Sequence, residues 1–500
     1  MMTAKAKKPS ISIKALFADI CDIETDLQIE GIAIDSRMVK PGDLFMAYQG
    51  SSLNGMNFID DAINSGAIAI AIDENADVQI LHEHVTVYKV KELRKHVGQI
   101  ASRYFSEPTH DMNVIGVTGT NGKTTVAYML SYALNYINNK AAFIGTLGYG
   151  KSNALHSGNM TTPDPINLHA LFSAWRNDVE TVSMEVSSHA LDQARVANVQ
   201  FDTAVFTNLS HDHIDYHETF ENYASAKAKL FHTPGLKKAV INYDDGFGRK
   251  LIKEIKQEIE IIAYSTSGNI DATGIKKVCV KEVLKTDDLI TIIKVASSWG
   301  DVTIKTGLLG DFNIPNVLAV FSTLCANNIA KEDAAKAICV FTGVPGRMEC
   351  FTSNNKPLLV VDYAHTPDAL EKALTSLRSY CKGKLYCVFG CGGDRDTGKR
   401  PQMGNIAETL ADVVILTNDN PRSEKPERII AQILAGMQNK ERIAVRYDRS
   451  DAITNTFHEA EKDDIVLIAG KGHETTQTIG NDVIPFSDRE LARRLVEETA

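Results

Sequence analysis

Short apolar runs alternate with longer stretches of mixed polarity over most of the chain, and this alternation predicts its architecture. In the middle of the chain, runs typical of buried strands lie at 114–117, 142–146, 181–186, 203–208, 239–242 and 261–264. Because stretches of helical pattern separate these runs, they predict a parallel sheet with helices on both faces. The region 275–305 breaks the order and predicts an antiparallel insertion.

Segments of similar pattern flank this middle region. Toward the C-terminus, strands are predicted at 358–361, 384–389, 413–417, 443–447 and 465–469, and Ser487-Asp488 predicts the N-cap of a last helix. Toward the N-terminus, a strand that ends in a polar turn is predicted at 32–37, and further strands at 44–47 and 67–72. Turn-rich joints at 106–110 and 343–347 divide the chain into predicted domains 1–108, 109–345 and 346–500.

Composition narrows the class of protein. A chain of 500 residues is long enough for about two to four domains with their own cores. No apolar run approaches the ~18 residues of a membrane span, and the basic N-terminus precedes no apolar core of a signal peptide. The net charge of -10 argues against a nucleic-acid partner, and the eight scattered cysteines indicate reduced thiols. We therefore expect a cytoplasmic protein without a membrane span.

The segment Gly116–Thr125, GVTGTNGKTT, lies between a predicted strand and a predicted helix. This order is typical of a phosphate-binding loop, although the spacing G-x-x-G-T-N-G-K-T departs from the standard motif. Backbone N–H groups and the helix N-terminus would hold an anion there. Lys123 would reach the β- and γ-phosphates of a nucleotide, and the Thr124 hydroxyl would bind Mg2+. The alternative is a glycine turn without a ligand.

Two further polar residues follow predicted strands of the middle region, where ligands bind in open α/β sheets. Glu185 stands where a Mg2+ ligand belongs in a nucleotide enzyme. His213 lies in the run HDHIDYH, for which zinc binding is an alternative interpretation, although the spacing matches no common zinc motif.

The predicted strands of the last segment are followed by a different set of charges. Arg395 and Arg422 suit a substrate carboxylate, because a guanidinium group binds a carboxylate through two hydrogen bonds. Asp419 and Glu474 suit an ammonium group, so the four side chains predict a pocket for a zwitterionic amino-acid end. The alternative for each is a surface ion pair.

Motifs along the whole chain resemble those of the Mur ligase family. They are DSR (35–37), GTNGKTT (119–125), MEVSSH (184–189), TNLSHDHIDYH (207–217), GDFNIPN (310–316), GRME (346–349), DYAHTPD (362–368), GCGGDRD (390–396), GKGHE (470–474) and SDR (487–489). The resemblance implies three α/β domains: a small N-terminal UDP-binding domain, a central P-loop-type ATPase domain with a mostly parallel sheet, and a C-terminal Rossmann-like domain.

The resemblance also implies a bacterial ATP-dependent amide ligase of peptidoglycan precursor synthesis, acting as a monomer on small molecules. The run Asp419-Asn420-Pro421-Arg422 resembles the family's diaminopimelate signature. It implies that meso-diaminopimelate is added to UDP-N-acetylmuramoyl-L-alanyl-D-glutamate through an acyl phosphate. Arg422 agrees with this, because it can bind the second carboxylate that lysine lacks. A lysine-adding ligase of the same family and a P-loop ATP hydrolase are the alternatives.

Site residues are implied by the same resemblance. For ATP they are Gly119, Thr120, Asn121, Gly122, Lys123, Thr124, Thr125, Asn313, Asn316, Arg347 and Asp362. For the UDP-sugar dipeptide they are Ile34, Ser36, Ser51, Ser52, Leu53, Thr161, Thr162, Ser187, Gln193 and Arg195. For diaminopimelate they are Arg395, Asp419, Asn420, Pro421, Arg422, Gly470 and Glu474.

The implied catalytic set consists of Lys123, Glu185, His213 and Lys227. The implied Mg2+ ligands are Thr124, Glu185, His213 and Lys227, the last as a carbamate. A carbamate replaces an ammonium group with anionic oxygens, which suit Mg2+. From its neighbours in the sequence alone, Lys227 would be a solvated helix lysine.

Overall fold

The computed structural model describes residues 10–50, 53–76, 84–152, 154–158, 160–286, 289–439 and 443–498. The chain divides into two compact units, Met1–Tyr264 with Ile270–Lys276, and Ser265–Asn269 with Lys277–Ala500. Among the described residues, no helix combines the length and the apolar character needed to cross a membrane.

The first unit begins with a small parallel sheet. In chain order the elements are β1 (Ile11–Ser12), α1 (Ile13–Leu16), β2 (Gln28–Ile29), β3 (Gly31–Ala33), β4 (Asp43–Ala47), α2 (Ile59–Asn64), β5 (Ala69–Asp73), β6 (Thr86–Val90) and α3 (Leu93–Tyr104). Strands β3 to β6 pair side by side in sequence order. Leu44 and Met46 pack into one core, whereas Phe45 and Ala47 pack into another on the opposite face, as the two-residue period of a strand requires.

A larger sheet follows in the same unit. Its elements are β7 (Asn113–Thr118), α4 (Lys123–Tyr136), β8 (Ala141–Gly145), β9 (Gly148–Lys151), β10 (Ala154–His156), α5 (Pro165–Trp175), β11 (Thr181–Glu185), α6 (Ser188–Asp192), β12 (Thr203–Phe206), α7 (Ile214–His217), α8 (Phe220–Ala228), β13 (Lys238–Asn242), α9 (Gly246–Glu254) and β14 (Glu260–Ser265). The strand order is β10-β9-β8-β11-β7-β12-β13-β14, and β8, β11, β7, β12, β13 and β14 run parallel. The carboxyl ends of β7, β11 and β12 therefore meet at one edge, where the chain order switches direction.

The second unit contains an antiparallel group and two helices. Its first elements are β15 (Lys276–Lys285), β16 (Thr291–Ser297), β17 (Val302–Thr306), α10 (Asn313–Ala326) and α11 (Lys331–Cys339). Strand β16 pairs antiparallel with both β15 and β17. The antiparallel insertion predicted at 275–305 is therefore confirmed.

A second parallel sheet completes this unit. Its elements are β18 (Glu349–Phe351), β19 (Leu358–Asp362), α12 (Pro367–Arg378), β20 (Leu385–Phe389), α13 (Lys399–Leu410), β21 (Val413–Leu416), α14 (Pro426–Leu434), β22 (Ile443–Val445), α15 (Arg449–Glu459), β23 (Ile465–Ala469), β24 (Thr476–Ile479), β25 (Asp482–Pro485) and α16 (Asp488–Glu497). The order is β18-β19-β23-β20-β21-β22, with only β18 antiparallel among these strands. Separate apolar cores cover its two faces, so its strands read as continuous apolar runs.

The structure confirms or corrects several element bounds. The strand with a polar turn predicted at 32–37 is confirmed as Gly31–Ala33 followed by a 3-10 turn over Ser36–Met38, in which the Asp35 carboxylate accepts a hydrogen bond from the Arg37 N–H. The strand predicted at 203–208 ends at Phe206, after which the chain turns toward the glycine loop. The predicted last helix begins after Ser487, whose hydroxyl accepts a hydrogen bond from the N–H of Glu490, so this N-cap is confirmed.

Candidate active site

The glycine loop joins β7 to α4, as its sequence predicts. Gly122 has a φ of 84° at the N-cap of α4, and Gly119 has a φ of 150°. A Cβ on Gly119 would lie 1.9 Å from Thr207 Oγ1, so a larger residue cannot occupy this position without a shift. Lys123 Nζ donates hydrogen bonds to the carbonyl oxygens of Gly119 (3.0 Å) and Thr120 (2.8 Å). The lysine thus lies back along the loop, as in a phosphate-binding loop.

Two residues at the end of β12 hold this loop in place. Thr207 Oγ1 donates to the carbonyl oxygen of Asn121 at 2.6 Å. Asn208 Oδ1 accepts from the Asn121 N–H at 3.0 Å, and its carbonyl oxygen accepts from the Thr120 N–H at 2.8 Å. Neither residue was among the predicted site residues, although both lie in the TNLSHDHIDYH motif.

A buried carboxylate stands directly beside the loop. Glu185 ends β11 and is 1% exposed; its Oε2 accepts a hydrogen bond from Thr124 Oγ1 at 2.9 Å. Its Oε1 accepts from the Thr146 N–H at 2.7 Å. Hydroxyl and carboxylate oxygens are the ligands that Mg2+ prefers, so the pair Thr124 and Glu185 fits this ion. Thr146, which sequence reasoning missed, orients the carboxylate.

The Lys227 side chain is buried against the same loop. It is 1% exposed, and its Nζ donates to the carbonyl oxygen of Gly119 at 2.7 Å and lies 4.4 Å from the centre of the Tyr223 ring. Burial, reinforced by the charge of Lys123, lowers the pKa of Lys227 well below its usual value. The expectation of a solvated helix lysine is therefore wrong, because a contact across 108 residues buries the amine.

His213 belongs to a group of rings on the exposed side of Tyr223. Its ring centre lies 6.1 Å from that of Tyr223 and 4.9 Å from that of His189, and its Nε2 lies 3.3 Å from Asp212 Oδ2. Burial, with the nearby charges of His213 and His217, lowers the pKa of His189 to about 4, so His189 is neutral at pH 7. Within the described residues, no group of three or more His, Cys, Asp or Glu side chains is arranged to hold a metal ion.

The residues predicted to bind the UDP-sugar dipeptide continue outward from Glu185. Thr162 Oγ1 donates to the Glu185 carbonyl oxygen at 2.9 Å, and the Thr162 carbonyl oxygen accepts from Arg195 Nη1 at 3.3 Å. Arg195 Nε in turn donates to Gln193 Oε1 at 2.8 Å. Thr161 Oγ1 lies 3.1 Å from Thr146 Oγ1. These contacts form a continuous path that leads away from the glycine loop.

Ser187, the N-cap of α6, also joins this path, because its N–H donates to Thr162 Oγ1 at 3.2 Å. The remaining predicted residues of this group lie elsewhere in the first unit. Ile34 and Ser36 follow β3, and Leu53 is 66% exposed. Ser51 and Ser52 lie outside the described residues.

In the second unit, Asn420 is the centre of the predicted diaminopimelate pocket. Its Nδ2 donates to Glu474 Oε2 at 2.9 Å, and its Oδ1 accepts from Lys471 Nζ at 3.1 Å and from the Thr478 N–H at 3.0 Å. Lys471, fully buried, also donates to Glu474 Oε2 at 2.7 Å. Sequence reasoning missed Lys471 as a pocket residue, although the GKGHE motif contains it. The network fixes the loop that carries the predicted signature.

Burial and neighbouring charges shift the pKa values of the two pocket acids, Asp419 and Glu474, in opposite directions. Burial raises the pKa of Asp419, partly offset by Arg449 and Lys471. Burial also acts to raise the pKa of Glu474, but hydrogen bonds from Lys471 and Asn420 hold it below its usual value. Glu474 is therefore ionised at neutral pH. A Cβ on Gly470, which has a φ of 117°, would lie 2.5 Å from Asp419 Oδ2, so the predicted pocket residues Gly470 and Asp419 are in direct contact.

The two predicted arginines differ in exposure. Arg422 is half-buried with a φ of 50°, and its Nη1 donates to the Gly393 carbonyl oxygen at 2.8 Å. Its backbone pairs with the β24–β25 hairpin through Thr478 and Gly480. Arg395 is exposed, with Nη1 3.3 Å from the Asp394 carbonyl oxygen.

The loops that carry these arginines are pinned by a buried ion pair. Arg400 is fully buried, and its Nη1 and Nη2 donate to Glu424 Oε2 (2.9 Å) and Oε1 (2.8 Å). Its Nη2 also donates to the carbonyl oxygen of Gly392. Glu424 Oε1 further accepts from the Asp394 N–H, so one pair ties both loops together.

The remaining predicted ATP residues also lie in the second unit. Asn313 begins α10, and Asn316 Nδ2 donates to Asn313 Oδ1 at 2.9 Å. The Arg347 guanidinium lies 4.5 Å from the centre of the Tyr363 ring. Asp362 ends β19, and burial raises its pKa, opposed by Arg347 and by two backbone N–H groups.

Comparisons with known proteins match almost all of the chain. Family models match residues 28–105 (Mur ligase family, catalytic domain), 117–324 (Mur ligase middle domain) and 346–472 (Mur ligase, glutamate ligase domain). A UDP-N-acetylmuramoyl-L-alanyl-D-glutamate--2,6-diaminopimelate ligase of Coxiella burnetii is 46% identical over 94% of this chain and 96% of its own length. The Pseudomonas aeruginosa protein of that name is 44% identical over 94% of this chain and 96% of its own.

Solved structures of similar fold include members of the same family. One of a UDP-N-acetylmuramoyl-L-alanyl-D-glutamate--2,6-diaminopimelate ligase is 31% identical, covers 98% of this chain and 99% of its own, and has a TM-score of 0.72. A folylpolyglutamate synthase of Mycobacterium tuberculosis, 18% identical with a TM-score of 0.61, covers 75% of this chain and 92% of its own. At that identity the second likeness concerns the fold alone.

Proposed function

The chain belongs to the Mur ligase family, and from that premise we propose that it joins 2,6-diaminopimelate to UDP-N-acetylmuramoyl-L-alanyl-D-glutamate with cleavage of ATP. It is an ATP-dependent amide ligase of peptidoglycan precursor synthesis. The predicted fold class of three α/β domains is confirmed by the three family models. Domain boundaries after residues 108 and 345, a monomeric state, a cytoplasmic location and the meso isomer of the amino acid are part of the proposal.

The hydrogen bonding of Arg422 is the observation that favours diaminopimelate over lysine as the amino acid that is added. Its Nη1 is held by the Gly393 carbonyl oxygen, while Nε and Nη2 make no hydrogen bond with any described residue. Two such donors match one carboxylate. Diaminopimelate carries a carboxylate at each end, so one end can bind Arg422, with Arg395, Asn420, Pro421 and Gly470 completing the pocket. Asp419 and Glu474 face an ammonium group.

ATP binds at the glycine loop. Residues 119–125 hold its phosphates, with Lys123 and the loop N–H groups neutralising their charge. The resemblance to the family also assigns Asn313, Asn316, Arg347 and Asp362 to ATP. Thr124 and Glu185 would hold a first Mg2+ and His213 a second, with carbamylated Lys227 as an oxygen ligand. These ions would supply positive charge that stabilises phosphoryl transfer.

The proposed reaction has two steps. The terminal phosphoryl group of ATP passes to a γ-carboxylate oxygen of the D-glutamyl residue, which gives an acyl phosphate and ADP. The diaminopimelate amine then attacks the acyl carbon and loses a proton, a C–N bond forms, and the C–O bond to phosphate breaks. Lys123 orients the phosphates, and Thr162, Ser187, Gln193 and Arg195 orient the dipeptide.

Carbamylation of Lys227 is supported by the burial of its amine. Only a neutral amine attacks CO2, forming a carbamate and releasing one proton. Burial lowers the pKa of Lys227, which favours that neutral form. The product carries two oxygens beside the glycine loop, where the amine contacts Gly119, and oxygen ligands suit Mg2+.

Phosphate release from ATP tests the proposal. The assay contains the UDP-muramoyl dipeptide and either meso-diaminopimelate or L-lysine. We expect release only with diaminopimelate, together with a UDP-muramoyl tripeptide identified by mass. Release only with lysine would keep the family but overturn the choice of amino acid. Release without any amino acid would favour a P-loop hydrolase.

A further inference from the structure

The first unit contains a cavity of about 290 Å³ at the carboxyl ends of its small parallel sheet. On one wall, Gln49 follows β4, Asp73 ends β5, and Glu92 follows β6. Asp192 and Gln193 line the opposite wall. Carboxyl ends of parallel strands are where α/β sheets bind ligands, so the position is typical of a binding site.

Charged groups of the first wall are already paired within the protein. The Asp73 carboxylate accepts a hydrogen bond from the N–H of Leu93 at 3.3 Å and caps α3. Glu92 forms an ion pair with Lys95, which also lines the cavity. The charges of Glu92 and Lys95 therefore offset each other, whereas Asp73 keeps its negative charge and directs one oxygen to the N-terminus of α3.

Arg94 differs from these neighbours. It lines the cavity from the first turn of α3, is half-buried, and makes no hydrogen bond or ion pair with any described residue. On the facing wall, Asp192 is bound by Lys229 at 3.0 Å. Arg195 donates to Oε1 of Gln193, which lines that wall, so a second guanidinium group lies beside the cavity. The nearby Asp164 carboxylate is bound to the N–H groups of Ile166 and Asn167. Such a region suits an anion that carries more than one charge.

The cavity lies at the far end of the contact path that leaves the glycine loop. The path runs from Thr124 to Glu185, then through Thr162 and Arg195 to Gln193, which lines the cavity. In the proposed reaction the D-glutamyl γ-carboxylate must lie near the ATP phosphates. The opposite end of the same substrate is a nucleoside diphosphate, and its diphosphate is the multiply charged group.

We propose that Arg94 binds the diphosphate of the UDP-sugar substrate, from the wall of the cavity that faces Gln193. The guanidinium group suits this task, because its planar donors bind phosphate oxygens in pairs. This role rests on the proposed function. The contact lies far from the reacting carboxylate and is equally strong before and during reaction, so it lowers KM without changing kcat.

Steady-state kinetics of Arg94→Gln provide the first test. We expect the KM for the UDP-muramoyl dipeptide to rise about tenfold, the effect of losing one charge-assisted contact. The kcat and the KM values for ATP and diaminopimelate should stay within about twofold, as expected for loss of a uniform binding contact. Lys91→Gln, which removes an exposed lysine three residues away that does not line the cavity, is the matched control and should raise the KM less than about twofold.

Two fragments of the substrate, one with the diphosphate and one without it, test which part Arg94 contacts. UDP and N-acetylmuramoyl-L-alanyl-D-glutamate are used as competitive inhibitors of wild type and Arg94→Gln. The inhibition constant of UDP should rise by the same factor as the KM, and that of the muramoyl dipeptide should not change. Equal changes for both fragments, or no change for UDP, would overturn the proposal.

Folding and activity controls complete the design. If Arg94→Gln does not match the thermal unfolding midpoint of wild type, Arg94→Lys replaces it, and UDP binding should then be partly restored relative to Arg94→Ala. A kcat that falls with an unchanged KM would also contradict a binding role. Wild-type protein that forms no tripeptide would refute the proposed function. If wild type is active and Arg94→Gln has the same KM for the UDP-muramoyl dipeptide, only the proposed role of Arg94 would be refuted.

Discussion

Replacing Arg422 by asparagine should remove the preference for diaminopimelate over lysine. The backbone of Arg422 has a φ of 50°, a conformation that asparagine tolerates better than most residues. Arg422→Asn therefore removes the guanidinium group while leaving the loop backbone unstrained. The pairing of this backbone with Thr478 and Gly480 should persist, because it uses main-chain atoms.

The size of the effect follows from the donors that Arg422 offers. One nitrogen, Nη1, is bound to the Gly393 carbonyl oxygen, and Nε and Nη2 remain for a carboxylate. A charge-assisted hydrogen bond contributes about 1.5–3 kcal/mol in proteins. Since Arg422 is half-buried and solvent screens its charge, we expect about 2–3 kcal/mol for the pair, or about 30- to 150-fold in kcat/KM.

The assay is phosphate release with each amino acid at varied concentration. For Arg422→Asn, kcat/KM should fall about 30- to 150-fold with diaminopimelate and stay within about twofold with L-lysine. Arg493→Gln, which breaks an exposed ion pair with Glu490, is the control and should change neither value. Equal losses with both amino acids would show that Arg422 supports the loop and does not read the second carboxylate.

Three further predictions concern buried groups. Lys227→Met should lower activity at least about 100-fold, because a Mg2+ ligand is lost. In buffer free of CO2 and Mg2+, the unfolding free energy of Lys227→Met at pH 7 should equal or exceed that of wild type. Burial lowers the pKa of Lys227, so in wild type the unfolded chain binds a proton at Lys227 that the folded chain does not. The difference in unfolding free energy between the two proteins should therefore narrow as the pH rises toward about 10. Glu185→Gln should raise the Mg2+ concentration for half-maximal activity at least about tenfold in a metal titration. Asp488→Ala should lower the unfolding free energy by about 3–5 kcal/mol in urea, because it leaves the fully buried Arg449 unpaired.

Matched variants test each of these. Lys250→Met removes an exposed lysine and should keep activity. Glu180→Gln should leave the Mg2+ titration unchanged, and Glu490→Ala, near Asp488 but exposed, should leave the urea midpoint nearly unchanged. Each prediction is contradicted by one result. These results are a strongly destabilised Lys227→Met, an unchanged Mg2+ titration for Glu185→Gln, and an unchanged unfolding free energy for Asp488→Ala.

Local patterns predicted most elements that position the site. The loop at 116–125 is recognisable because the glycines, the lysine and the switch from strand to helix are adjacent in the chain. The strand at 465–469 is an apolar run, and the segment 181–186 alternates polar and apolar residues; the structure places the strands Ile465–Ala469 and Thr181–Glu185 there. Strand β6 and the β9–β10 and β24–β25 hairpins were not predicted, because their residues are of mixed polarity and carry no clean alternation.

Contacts between distant parts of the chain explain what local patterns missed. Lys227 and Gly119 are 108 residues apart, and only the folded sheet brings the amine to that carbonyl oxygen. Arg400 is charged, so its pattern predicts exposure; its burial depends on Glu424, which follows a different strand. Lys471 likewise is buried by Asn420, 51 residues away.

The left-handed backbone at Arg422 also limits how amino-acid choice can evolve. At a φ of 50°, glycine, asparagine and aspartate are tolerated best, whereas β-branched residues are strongly disfavoured. A lineage that changes its cell-wall amino acid therefore has few viable single replacements at this codon. The neighbouring loop residue Gly393, whose Cβ would lie 1.8 Å from the Pro421 carbonyl oxygen, is equally restricted. Apart from asparagine at position 422, new selectivity should therefore arise at exposed positions such as Arg395, where substitutions leave the scaffold intact.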